Sequence, residues 1–354
     1  MQGQHSSQSS FFGLIYERLV PPDHLLRRIA AAVDLSFVTE LVSDCYCPDN
    51  GRPSWDPWVL FKVVFLQFLY NLSDRQVEEQ VNLHLACKWF VGLQPEESGP
   101  DYSVLCRFRA RLGAEKFQQI FNEIVQQARQ AGLVHDRLRI LDATHLAAKV
   151  DLFRLPFGGL RPPQDSKPSP RPETPPAQAP GSPDPDARFG RKSATKRFYG
   201  YKEHLSTDAD SELITAVSVT PGNVADSDEF VGLVDPRARD VTADKGYDTN
   251  ANHQHLQAHG QRSSIILKQN RTNPQVIGQA DPESQRQRPR IERKFAEQKQ
   301  YHGLRQARYW GLRKVTIQVL MTCLVVNCKR MVRLAEANCG SPRAALCLAD
   351  RIGR

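Results

Sequence analysis

The sequence lacks the cysteine pairs of a zinc module. Its eight cysteines, at 45, 47, 87, 106, 323, 328, 339 and 347, form no CxxC knuckles set with histidines at zinc spacing. Cys87, Cys106 and Cys323 fall inside apolar helical patterns, where a reduced thiol packs as a small hydrophobe. The opening stretch MQGQHSSQSSFFGL has no basic region followed by an apolar run, so nothing there resembles a secretory signal. The most apolar run near the C-terminus, Val315 to Val326, is interrupted by Thr316, Gln318 and Thr322 and is too short to span a bilayer. No internal repeat is visible. These absences lead to the expectation of a soluble, intracellular chain.

At 354 residues the chain is too long for one small core, and two domains are the default expectation. The net charge of +8 points toward a polyanionic partner, and its placement says more than its size. Between Arg286 and Lys314 stand ten Lys/Arg against two acids, Glu292 and Glu297, a surplus equal to that of the whole chain. A solvated basic helix is the bland alternative for any single run of this kind.

Residues 1–135 read as helices only, in an order that suits a DNA-binding reader and suits a plain bundle equally. Asp56-Pro57 is an N-cap followed by the residue best fitted to the first helical position, and WVLFKVVFLQFLY behind it is apolar nearly all round. Ser73 and Gln76 have capping-box spacing and start a helix running through QVEEQVNLHLACKWF. Asp101 caps another helix, which stops at Gly113, and Phe117, Ile120, Phe121, Ile124, Val125 and Ala128 share one face of the next, closed by Gly132.

The texture changes at Leu138. RILDATHLAAKV, YGYKEHLSTDAD, SELITAVSVTPGN, ARDVTADKGYD and SSIILK are strand candidates, with a turn at Asp208 to Ser211, a helix near Asn250 to Gly260 and a long helix from about Pro289. This predicts an α/β fold over 136–336. From Pro162 to Ala187 ten of 26 residues are proline, and 162–187 is expected to be a disordered insert within that domain. Residues 337–354 read as a tail.

Three acids stand out by context. Asp142 lies in an apolar strand, Asp244 ends a later strand, and Glu292 is in the first turn of the long helix. A charge in an apolar strand costs several kcal/mol unless a partner or metal compensates it. Carboxylates from two strands and one helix suit a pair of Mg²⁺ ions acting on phosphate. With 39 acids in the chain, three well-placed ones also arise by selection. Arg288, Glu292 and Lys299, spaced four and seven apart, share one side of a helix and can hold phosphates beside a metal-binding carboxylate. Lys245 and Tyr247 could touch DNA or merely form a turn with Gly246. Arg305, Arg308, Arg313 and Lys314 read as phosphate contacts, His145 as structural, Asn223 as a turn residue and Trp310 as core.

The spacing Arg288, Glu292, Lys299 resembles the signature of the tyrosine–arginine–glutamate–lysine branch of bacterial insertion-sequence transposases of the DDE class, with Gln285 where that branch has its tyrosine. ILDATHL, VTPGNVADSDEF with VTADKGYDT, and YHGLRQARYWGLRKVTIQVLMTCLVVNCKRM are similar to stretches of that family in the same order. SWDPWVLFKVVFLQFLYNLSDRQVEEQV and PDYSVLCRFRARLG resemble its helical N-terminal domain. The resemblance covers about residues 10 to 335. It implies a ribonuclease-H-like mixed-sheet catalytic domain behind an all-helical domain, with Asp142, Asp244 and Glu292 binding two Mg²⁺ (Mn²⁺ as substitute). It implies double-stranded DNA as partner, at terminal inverted repeats and target, a homodimer in the synaptic complex, and a cytoplasmic, nucleoid-associated bacterial setting. Only 48 residues separate Asp244 from Glu292, against 102 between Asp142 and Asp244, so no large insertion domain lies between the second and third acids. A DNA-binding protein from a catalytically decayed element is the competing expectation.

Overall fold

The computed structural model describes residues 2, 13–47, 53–155, 178–191, 196–269 and 281–339. Among the described residues seven α-helices come first: α1 (Gly13–Leu19), α2 (Leu25–Ala32), α3 (Val38–Leu41), α4 (Pro57–Leu69), α5 (Asp74–Leu83), α6 (Leu85–Val91) and α7 (Tyr102–Gln130). The Asp56 carboxylate accepts from the Trp58 amide at 2.8 Å, and every residue of α4 from Val59 to Leu69 is buried, as expected for a helix apolar on all sides. The Ser73–Gln76 capping box closes in both directions. The single helix predicted after it breaks at His84 (φ −96°, ψ 114°), which lets α5 and α6 each turn a buried face to α4. Within α7, Gly113 takes φ 67° and ψ 176°, a conformation glycine adopts without strain, and separates two helical segments as its position predicted.

The sheet follows: β1 (Leu138–Ala147), β2 (Arg188–Arg191), β3 (Arg197–Asp208), β4 (Ile214–Pro221), β5 (Asp240–Ala243) and β6 (Arg262–Ser263). Its order is β4-β3-β1-β5-β6, and β2 pairs with the first residues of β3. β1, β3 and β4 are antiparallel neighbours, while β5 runs parallel to β1 and β6 parallel to β5. The strand expected over SSIILK is shorter than its apolar run. Only Arg262–Ser263 counts as strand, although the Ser264 and Ile266 amides still donate to Val241 and Ala243. α8 (Phe230–Leu233), α9 (Asn250–Ala258), α10 (Pro282–Arg286), α11 (Pro289–Tyr301) and α12 (Leu312–Cys339) complete the fold, which is ribonuclease-H-like behind a helical region.

The two regions do not have separate cores. α12 packs on α2, α4 and α7 as well as on β4, and one apolar cluster runs from Leu26 and Phe65 through Ile140 and Leu205 to Val332. Among the described residues one helix, Leu312–Ala337, is long and apolar enough to cross a membrane, and most of its apolar stretch is buried inside the protein. A smaller cluster with Leu141, Phe230, Val241, Tyr247 and Leu256 fills the opposite face of the sheet.

The insert expected over 162–187 needs correction at its end. Residues 178–187 are packed: Ala187 and Asp184 are fully buried, and the Asp184 carboxylate accepts from the Tyr201 hydroxyl at 2.5 Å and the Gly311 amide at 3.1 Å. Asp186 accepts from the Leu312 amide at 2.7 Å and so caps α12. Side chains that satisfy a helix start and a buried phenol offset the ordering entropy of a proline-rich segment. The remainder, 162–177, and the tail from 340 onward lie outside the described residues.

Candidate active site

β1 is paired with β5 in parallel through Leu141↔Ala243, and the residue after each is an acid, Asp142 within β1 and Asp244 just past the end of β5. Adjacent strands lie about 4.8 Å apart, and register partners point to one face. α11 lies against that face. Arg288, at its N-cap position, donates from Nη2 to Asp142 Oδ2 at 3.2 Å and stands 3.5 Å from Glu292 Oε1 through Nη1. Seven residues after Glu292, the Lys299 ammonium donates to the Thr144 hydroxyl on β1. Arg288 and Lys299 of the sequence pattern thus both reach side chains of β1, and Glu292 stands beside Arg288.

The Asp142 carboxyl, 13% exposed, lies among charged neighbours. Burial raises its pKa to about 6, the charges of Asp244 and Glu292 push in the same direction, and Arg288 and the Ala143 amide oppose them. Asp244 accepts from the Gly246 amide, and a Cβ on Gly246 would stand 2.8 Å from the Asp244 carboxylate and 3.7 Å from that of Asp226. Asp226, held by Lys202 at 2.8 Å, is therefore a fourth acid at the rim that the sequence reading passed over. Its signal was the acid-rich run after VTPGN. Beneath the site Glu203, opposite Thr144 on β3, is 1% exposed and accepts from Gln298 at 2.8 Å. It too was missed, because KEH in a strand reads as a solvated segment.

The other basic candidates divide. Lys245, Arg305, Arg313 and Lys314 are exposed. Arg308 is not available for DNA: its guanidinium donates to the Leu72 carbonyl at 2.7 Å and to the Asn71 side chain, over the Phe68 ring. Its assignment as a phosphate contact is therefore withdrawn, because its donors tie the segment before α12 to the end of α4. Trp310, expected in the core, is 49% exposed. His145 rests its ring on Phe198 at 5.2 Å between centroids, on the face of β1 away from Asp142.

Among the described residues no three His, Cys, Asp or Glu side chains stand close enough to hold a metal ion together. The donor set still suits a hard divalent cation, because it is all oxygen and the charges of Asp244 and Glu292 add to the proton affinity of Asp142. Glu292, with 58% of its side chain exposed, is the member with most room to turn.

Three antiparallel strands continued by two parallel ones, with Asp142 on the first of the parallel pair and Asp244 just past the end of the second, fit a ribonuclease-H-like domain. The chain belongs to the DDE transposase family: residues 136–328 match the family model described as "Transposase DDE domain", and residues 14–111 match "Transposase domain (DUF772)". The transposase for insertion sequence element IS1106 of Neisseria meningitidis serogroup B is 31% identical over 150 residues, 41% of this chain and 51% of that protein. The match thus spans about half the length of that curated relative. The cryo-EM structure of a piggyBac transposase synaptic complex with hairpin DNA aligns with a TM-score of 0.42 and 9% identity, over 96% of this chain and 80% of that one, below the level that defines a shared fold.

Proposed function

We propose that the protein is a DNA transposase that cleaves the ends of its element and joins the freed 3′-hydroxyls to target DNA. The observation that supports this reading is the register of β1 with β5, Leu141 against Ala243, one residue before Asp142 and Asp244, together with the contacts of Arg288 to Asp142 and Glu292. Asp142, Asp244 and Glu292 would hold the divalent ions, two Mg²⁺ or in their place Mn²⁺. When bound, such ions activate an attacking oxygen and stabilise the leaving one. The chain's own groups do the positioning. Arg288 fixes the orientation of Asp142 and keeps Glu292 turned toward it. Lys299, anchored on Thr144, and the exposed Lys245, Arg305, Arg313 and Lys314 offer cations to DNA phosphates on either side of the acids. The arginine–glutamate–lysine spacing supports placement in the tyrosine–arginine–glutamate–lysine branch. Synapsis of two DNA ends calls for a homodimer.

The test uses the purified protein with Mg²⁺ or Mn²⁺ and DNA carrying the terminal repeats that flank its gene. Nicking at the repeat ends is expected, and Asp142→Asn, Asp244→Asn and Glu292→Gln should each abolish it while leaving DNA binding in place. Binding without nicking in the unsubstituted protein would instead support a decayed, DNA-binding descendant. A requirement for Glu297 or Asp248 in place of Glu292 or Asp244 would overturn the assignment. Both rivals are engaged elsewhere, Glu297 with Lys329 at 2.8 Å and Asp248 with His253 at 2.9 Å.

A further inference from the structure

Beyond the end of β1 the chain carries large aromatic side chains in water. Trp310 is 49% exposed and Phe153, on the 3₁₀ turn Leu152–Arg154, is 84% exposed. Trp310 is nevertheless firmly mounted. Its ring N–H donates to the Lys149 carbonyl at 2.9 Å, and the two amides that follow it, Gly311 and Leu312, are held by the Asp184 and Asp186 carboxylates at 3.1 and 2.7 Å. The backbone before it is fixed as well, because Ala307 donates to Ala147 at the end of β1 at 2.7 Å. An indole gripped at its polar edge, on a backbone gripped on both sides, presents its face at little further cost in entropy.

The surroundings are basic. Lys149, Arg305, Arg313 and Lys314 are exposed within a few residues of Trp310 or of the carbonyl it binds, and the Arg154 side chain is 88% exposed. Aromatic faces interleaved with cations are what an unpaired nucleic-acid strand requires, a surface for the base and a countercharge for the phosphate. Position adds to this. Ala147 lies five residues along β1 from Asp142, about 16 Å in an extended strand, so the platform is within reach of a DNA end at the acids without touching the reacting phosphate.

We infer that Trp310 is a stacking platform for an unpaired base of a DNA strand that leads away from the active site, with the Lys149 backbone at its polar edge. This rests on the reading of the chain as a DNA-processing enzyme and adds the single-stranded character of what it holds there.

The experiment titrates the full chain with an oligothymidylate and, separately, with a blunt duplex of equal length. It follows indole emission for quenching and anisotropy of a labelled strand for affinity. The remaining tryptophans, Trp55, Trp58 and Trp89, are all partly buried, so Trp310 should dominate the response. Oligothymidylate is expected to quench the emission, and Trp310→Phe should remove the quenching while binding within about threefold of the unsubstituted chain. Trp310→Ala should weaken oligothymidylate binding about tenfold and leave the duplex unaffected. Equal oligothymidylate affinity in Trp310→Ala, equal losses on duplex and single strand, or quenching that persists in Trp310→Phe would overturn the platform. So would a concentration-dependent dimer that Trp310→Ala dissolves, with no response to DNA. Nicking by Asp142→Asn would remove the transposase reading and leave the stacking result standing. Unchanged strand binding in Trp310→Ala would remove the platform and leave the acids untouched.

Discussion

Replacing Glu203 by glutamine should make the protein more stable at alkaline pH and change little at acid pH. The carboxyl is 1% exposed, accepts from Gln298 at 2.8 Å and the Cys323 thiol at 3.4 Å, and is pushed up to about 7 by burial, against the pull of those donors and of Lys299. An unfolded glutamate titrates near 4.3. Between those two values the native state keeps a proton that the unfolded chain has released, so stability falls as pH rises through that window. Some two and a half pH units at about 1.4 kcal/mol each give a loss of roughly 3 kcal/mol by about pH 8. Glutamine holds no titrating proton and is nearly the same shape. Its amide can also donate to Gln298 Oε1, a buried oxygen with no partner among the described residues. The difference between Glu203→Gln and the unsubstituted protein should therefore be small near pH 5 and approach 3 kcal/mol near pH 8. Urea unfolding of both proteins at the two pH values measures it, and the subtraction cancels other titrating groups. A difference that does not vary with pH would refute the reasoning, since the carboxyl would then titrate alike in both states.

Two further outcomes concern side chains with structural duties. Asp184→Ala strands the buried Tyr201 hydroxyl and the Gly311 amide, and a loss of about 2–4 kcal/mol is expected in denaturant unfolding. For the same reason deletion of 163–186 should cost soluble protein, whereas the fold read as sequence alone would have tolerated it. Arg308→Ala should lower stability, by about 1–3 kcal/mol for the lost charged hydrogen bonds, and leave the salt dependence of DNA binding unaltered. A reduced salt slope in that variant would return Arg308 to the DNA-facing set.

Much of the fold was readable because its signals are local. Asp56, Ser73 and Asp101 each find their amide within three residues, so a cap in the sequence is a cap in the structure. The end of the proline-rich segment was not readable, because what orders it lies elsewhere: Asp184 meets Tyr201, 17 residues on, and Gly311, 127 residues on. The break at His84 was hidden for a similar reason. QVEEQVNLHLACKWF keeps a helical pattern throughout, and only packing of both halves on α4 shows that the axis must turn. Trp310 was misjudged because an indole's apolar area says nothing of its polar edge. The Lys149 carbonyl that fixes it is 161 residues away.

Sequence context marks one buried acid more sharply than it marks any cation, and burial explains the difference. A carboxylate in an apolar strand needs compensation, so Asp142 announced itself by context, and the strand register then selected Asp244 as its neighbour. Arginine and lysine carry their charge on long stems, so the sequence position does not say where the charge ends up. Of the ten cations between Arg286 and Lys314, the sequence pattern gave Arg288, Lys299, Arg305, Arg308, Arg313 and Lys314 to phosphates. In the structure Arg290 binds the Ala209 carbonyl, Arg293 and Lys294 pair with Glu212, Arg308 braces Leu72, and Arg288 turns inward to Asp142. Lys299 is anchored on Thr144, and Arg286, Arg305, Arg313 and Lys314 are exposed, a smaller set than the raw charge count implied.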